Sequence, residues 1–251
     1  MDKRVRARMR LVETATVSID TPGGAMGVYE AKPDGPPRGG VIVIQEAFGV
    51  NAHIEDVARR FANEGWHALA PHLFHRAGDP VVPYGDMAAA MEHTRALTGD
   101  GLLTDADACL AHFEANGIGA GRVAVVGFCM GGTATFFLAV SRPLGAAATF
   151  YGGGITESRW PGVTAPVEAA RDLQTPWLGL FGDLDQGIPV EAVERLREAV
   201  SAAGVATEVV RYADAGHGFH CDARPQSYHE ASAKDAWSRT LAWFDTHVPR
   251  S

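Results

Sequence analysis

The chain has 251 residues, of which 46% are apolar and 21% charged, and its 30 acidic and 22 basic residues give a formal charge of −8. This is the composition of a globular protein with a full core; the acidic balance opposes nucleic acid or an anionic membrane as a main partner, and no run approaches the ~20 apolar residues of a membrane helix. Its three cysteines have no regular spacing, so they make no disulfide framework and suit a reducing cytoplasm.

Lys3, Arg4, Arg6, Arg8 and Arg10 form a basic start with no apolar run of signal-peptide length behind it. Residues 1–12 therefore read as a solvated extension and residues 13–251 as a single domain. Between Thr14 and Asp20, Val17 and Ile19 alternate with polar neighbours, and Thr21-Pro22-Gly23-Gly24 turns the chain into Gly27 to Ala31. That pattern predicts an opening antiparallel hairpin. After a polar Pro/Gly loop, Val41 to Ile44 is a continuous apolar run, the mark of a parallel strand buried on both faces. Asn51 then caps a helix carrying Ile54, Val57, Ala58 and Phe61 on one face, and Gly65 ends it. Trp66 to Leu69 reads as the next strand. A long loop follows through Pro71, Gly78, Pro80, Pro83 and Gly85, and loops of that length in compact domains are commonly functional.

Met87 to Leu97 is a helical run, and Ala106, Cys109, Leu110 and Phe113 fall at helical spacing, which makes Cys109 a core residue with an inert thiol. Further strands are read at Gly121 to Val126, Ala146 to Tyr151, Trp177 to Phe181 and Glu208 to Tyr212. Helices are read from Thr133 to Val140, through Val190, Val193, Leu196 and Val200 up to Gly204, and through Trp237, Leu241, Phe244 and Val248. Strands alternating with helices specify an α/β fold with a mostly parallel central sheet covered by helices on both faces.

The most informative stretch is Gly127-Phe128-Cys129-Met130-Gly131-Gly132, set between the apolar strand Val123 to Val126 and the helix from Thr133. Small residues two before and two after Cys129 allow a strained strand–turn–helix that lifts one side chain above the sheet, a nucleophile elbow with sulfur at its tip. A thiol nucleophile needs a base and a group that orients the base, and in such sheets these lie beyond the ends of later strands. Asp183 and Asp185 follow the strand Trp177 to Phe181, and His217 follows the strand Glu208 to Tyr212. The order is nucleophile, acid, histidine, as in α/β-hydrolases. Taken alone, Asp185 reads equally as a cap for the helix from Val190, and His217 equally as a surface histidine.

Here the chain resembles the dienelactone hydrolase family, from about Glu13 to Phe244. The resemblance is carried by Val43-Ile44-Gln45-Glu46-Ala47-Phe48-Gly49-Val50-Asn51, Pro71-His72-Leu73-Phe74-His75-Arg76, the Gly127 to Gly132 elbow, Asp185 with Ile188-Pro189, Gly216-His217-Gly218-Phe219, and Ala236-Trp237-Ser238-Arg239-Thr240. It implies an α/β-hydrolase fold and a Cys129, His217, Asp185 triad that cleaves a small ester or lactone through an acyl-enzyme, with no cofactor. Asp183 is the rival acid, and the spacing to Ile188-Pro189 favours Asp185. The resemblance also assigns Glu46 to contact the thiol and take its proton; the alternative is a carboxylate that only braces its loop. The N–H groups of Met130 and Ala47 are the expected oxyanion donors.

Family members hold a substrate carboxylate with arginines, one shortly after the catalytic histidine. In this chain His220 and Cys221 stand at the near positions, so Arg224, Arg76 and Tyr151 are the candidate substrate contacts, and structural pairing is the alternative for the two arginines. His217, His220, Cys221, Asp222 and His229 match no standard zinc pattern, so no metal is expected. Tyr151-Gly152-Gly153-Gly154 lacks phosphate-loop spacing and reads as a turn. The rival function on the same fold is a non-catalytic thiol protein that senses oxidants through Cys129. A small-molecule substrate is the only partner expected, for a monomer or a homodimer.

Overall fold

The computed structural model describes residues 12–249, so the basic stretch from Lys3 to Arg10 lies outside the described residues. The hairpin forms as expected, with β1 (Glu13–Thr21) and β2 (Gly24–Lys32) paired in antiparallel register from Glu13 against Lys32 to Thr21 against Gly24. In chain order there follow β3 (Gly40–Ile44), α1 (Ala52–Asn63), β4 (His67–Pro71), α2 (Met87–Arg95), α3 (Gly99–Ala115), β5 (Val123–Phe128) and α4 (Met130–Ser141). The remainder is β6 (Ala146–Phe150), α5 (Pro166–Ala169), β7 (Trp177–Gly182), α6 (Val190–Val200), β8 (Thr207–Tyr212) and α7 (Glu230–His247).

All eight strands join one sheet in the order β1-β2-β4-β3-β5-β6-β7-β8. From β4 to β8 every pairing is parallel, and only the hairpin runs against it. The five strands β3 to β7 have no exposed residue, as continuous apolar runs between two helical layers require. One layer is α1 with α7, where Phe61 meets the Trp237 ring at 4.5 Å and Phe244 at 5.9 Å. Burying a side chain such as Phe61 stabilises the fold by about 2–3 kcal/mol. The other layer is the contiguous series α3, α4, α5 and α6.

Some boundaries differ from the sequence reading, and one short helix is absent from it. The run Met87 to Leu97 stops at Arg95 because Thr98 caps α3, accepting a hydrogen bond from Gly101 N at 3.1 Å. β5 starts at Val123 and not at Gly121, since Ala120 to Arg122 close a tight turn with Arg122 N donating to Gly119 O at 2.8 Å. The short helix α5 carries too few residues for periodicity to reveal it. Cys109 is fully buried on α3, and burial pushes its thiol well above the ordinary range. No helix among the described residues is long and apolar enough to cross a membrane.

Candidate active site

β5 ends at Phe128, and the next residue, Cys129, has φ 55° and ψ −116°, a region that L-residues enter only under strain. Its amide donates to Phe150 O on the neighbouring strand at 3.0 Å, while its carbonyl accepts from Gly132 N at 3.0 Å and Thr133 N at 3.3 Å, so the turn passes directly into α4. The flanking glycines are there for space. A Cβ on Gly127 would lie 2.1 Å from Gly131 O, and one on Gly131 would lie 2.4 Å from Gln45 O and 2.6 Å from Ile44 O. The elbow is thus packed backbone to backbone against the end of β3, and Cys129 is left half-buried at the head of a helix.

The imidazole comes from the loop after β8. That loop is tied to the end of β7 by Asp183 N donating to Tyr212 O at 2.9 Å and Leu184 N to Ala215 O at 2.9 Å. His217 Nδ1 lies 2.6 Å from Asp185 Oδ2, and the other oxygen of Asp185 accepts from Gly187 N at 2.9 Å. Asp185 does not cap α6, which begins after Pro189 without a side-chain cap. Asp183 points elsewhere, both its oxygens bound by Arg211 at 2.7 Å. Burial opposes charge on His217, but hydrogen bonds to Asp185 and to Cys129 outweigh it and push the imidazole up to about 10. The imidazole is thus fixed by Asp185 on one side and feels the Cys129 sulfur on the other.

Glu46, just past β3, is wholly buried, and neither of its oxygens makes a well-formed hydrogen bond among the described residues. Burial raises its pKa, against the opposing charges of Arg224 and His217, with the Tyr84 hydroxyl and the Cys221 thiol alongside. The loop holding it is braced by Gln45, whose Oε1 accepts from Leu73 N at 3.1 Å and whose Nε2 donates to Glu46 O at 3.3 Å. Met130 is the first residue of α4, so its N–H has no intrahelical acceptor, and no backbone oxygen takes it or the N–H of Ala47 among the described residues.

Tyr151, at φ 39°, sets its ring edge-on to His217 with centroids 5.1 Å apart, and its buried hydroxyl has no hydrogen-bond partner among the described residues. The Arg224 guanidinium lies over the rings of Tyr84 at 5.2 Å and Phe48 at 5.7 Å, with its buried Nε unpaired among the described residues. Arg76 does not join this group. It makes a two-pronged ion pair with the buried Asp105 of α3, at 2.7 and 2.9 Å, the structural pairing that stood as the alternative to a substrate contact.

Tyr84 and Cys221 were not anticipated as neighbours of Glu46. Tyr84 Oη lies 3.4 Å from Cys221 Sγ, and burial, reinforced by Glu46, pushes the Cys221 thiol up to about 12. A tyrosine inside the long loop after β4 was the available signal. The histidines after His217 disperse. His220 stacks on Phe128 at 5.2 Å and Trp237 at 5.9 Å, and burial lowers it to about 3; Asp222 binds Arg60, and His229 Nδ1 lies 2.8 Å from Ser232 Oγ.

The sequence profile of the dienelactone hydrolase family matches residues 26–248. A Salmonella typhimurium protein named "Putative carboxymethylenebutenolidase" is 41% identical over 237 residues, covering 93% of this chain and 87% of its own length. An Escherichia coli protein of the same name is 43% identical over 232 residues, 90% of this chain and 84% of its own. A crystal structure titled "Putative Dienelactone Hydrolase", from Klebsiella pneumoniae, superposes with a TM-score of 0.85 at 38% identity, covering 94% of this chain and 99% of that one.

Proposed function

The chain belongs to the dienelactone hydrolase family and is a carboxylic ester hydrolase of the α/β-hydrolase fold, and from that premise we propose that it opens a small ester or lactone by covalent catalysis at Cys129. The observation that carries this reading is the 2.6 Å pairing of His217 Nδ1 with Asp185 Oδ2, in an imidazole that the Cys129 sulfur also helps to keep protonated.

The sulfur attacks the carbonyl carbon, and negative charge moves to the carbonyl oxygen between the free N–H groups of Met130 and Ala47. A donor so placed contributes about 3 kcal/mol to the transition state. The His217 imidazolium gives its proton to the departing alkoxide, then takes one from the water that releases the acyl group. Asp185 keeps the ring in the tautomer that both transfers need. Glu46, buried without a fixed partner, accepts the thiol proton as substrate enters. A thiol in this setting suits esters and lactones, whose alkoxides leave readily, more than amides.

The names of the relatives suggest a lactone that carries a carboxylate. Arg224 supports that choice, because its guanidinium stands next to the His217 loop with an unpaired Nε. Leu184, 63% exposed beside Asp185 and His217, offers an apolar surface for the rest of the molecule. The three unpaired cysteines fit a reducing cytoplasm as the place of action.

The test is a p-nitrophenyl acetate burst assay. We expect one equivalent of p-nitrophenol in the burst, loss of activity after iodoacetamide and in Cys129→Ala, and no effect of a chelator. Turnover that survives Cys129→Ala would refute the reading.

A further inference from the structure

Away from the elbow, at the opposite end of the sheet, three segments bring metal-ligating atoms together. His67 opens β4, Glu30 stands near the end of the adjacent antiparallel strand β2, and His112 lies in the last turn of α3, which packs over both β1 and β4. His67 Nε2 and His112 Nε2 both lie 2.8 Å from the same oxygen, Glu30 Oε1, and the three ligand atoms are within 4.8 Å of one another. Glu30 and His67 are buried, and the His112 side chain is 24% exposed.

We propose that Glu30, His67 and His112 form a binding site for a first-row divalent transition ion such as zinc. Two imidazole nitrogens with one carboxylate oxygen suit zinc, cobalt or nickel and not magnesium or calcium, which take oxygen ligands. Zinc–ligand bonds of about 2.0–2.1 Å in a tetrahedron separate the ligand atoms by about 3.3 Å, so each imidazole retreats by about 0.5 Å to admit the ion. His112, at the open side, has room for that movement and leaves the fourth position to water. Lys32 holds the other oxygen, Oε2, at 3.1 Å, so Glu30 binds through Oε1 alone.

A metal needs a free lone pair on each imidazole nitrogen and an ionised carboxylate. In the tautomer that donates to an ionised Glu30, each Nε2 carries a proton; on binding, a neutral ring moves it to Nδ1 by tautomer exchange and the freed lone pair takes the ion. The ion then ties β2 and β4 to α3, a structural clip remote from the elbow.

Because a thiol beside an imidazole also binds zinc, the test uses the full chain with Cys129→Ser. Titration with cobalt should give one ion per chain by calorimetry and weak visible bands of a nitrogen and oxygen ligand set, without a thiolate charge-transfer band in the near ultraviolet. Zinc should raise the Tm of this protein. In the same background His112→Gln, a change at a half-buried position, should weaken binding by at least about tenfold, 1.4 kcal/mol, with an unchanged circular dichroism spectrum. No bound cobalt in the Cys129→Ser protein, or equal affinity in the His112→Gln variant, would overturn the proposal.

Discussion

Asp185 Oδ2 lies 2.6 Å from His217 Nδ1, whereas Asp183, two residues earlier, gives both its oxygens to Arg211. The two aspartates flank one turn and have separate partners. Asp185→Asn should lower kcat/KM by about 10²- to 10⁴-fold, because an amide cannot fix the imidazole tautomer. Asp183→Asn should leave kcat/KM within about threefold and cost about 1 kcal/mol or less, since Arg211 keeps Glu194 at 2.7 Å. Steady-state kinetics on both variants decide it, and equal losses would reject the assignment.

The same pair sets a pH dependence. His217 titrates near 10 in the folded chain, above its unfolded value of about 6.5, so its contribution to stability is complete below about pH 6.5 and is lost as pH rises through about 10. Without Asp185 the imidazole loses its larger favourable partner and gives up the proton at lower pH. Thermal unfolding of wild type and Asp185→Asn from pH 6 to 10.5 should therefore show a wild-type advantage that shrinks toward the alkaline end. A difference that stays constant over that window would contradict the shared proton.

Glu46 runs in the opposite direction. Its folded pKa is raised by burial, so above the ordinary value of about 4.5 the unfolded chain ionises while the folded chain resists, and stability falls as pH rises. Glu46→Gln removes the ionisable group and keeps the shape. The variant should match wild type in Tm near pH 4 and exceed it at pH 8, while acylation slows in the burst assay. A variant less stable than wild type at pH 8 would mean that the carboxylate is held by partners and not stranded.

The order of strands and helices was legible because burial on both faces writes continuous apolar runs for β3 to β7, and the elbow because its glycines are forced by backbone contacts. What the chain hid was pairing at a distance. Arg76 could be read as an anion holder or as structurally paired, and its pairing with Asp105, 29 residues away, has no trace in the sequence. Glu30, His67 and His112 meet across three segments with no common spacing, and Tyr84 reaches Cys221 from a loop 137 residues earlier. Side chains recruited from separate loops and strands leave no periodic trace, unlike a turn that only glycine can make.

The elbow itself offers the sharpest separation of strain from chemistry. Cys129 sits at φ 55° and ψ −116°, where a Cβ costs on the order of 1–3 kcal/mol and glycine pays little. Cys129→Ala and Cys129→Gly both remove the sulfur and its influence on His217, but only the glycine variant also removes the Cβ. Both should be inactive. The glycine variant should nevertheless be more stable than the alanine variant by about 1 kcal/mol, once its greater freedom in the unfolded chain is set against the relieved strain. In a chain of this size that corresponds to a Tm difference of about 2–4 °C, readable by differential scanning calorimetry. Equal melting of the two variants, or a lower Tm for glycine, would mean that the turn is held without strain, and that the position of the sulfur at the elbow costs the fold nothing.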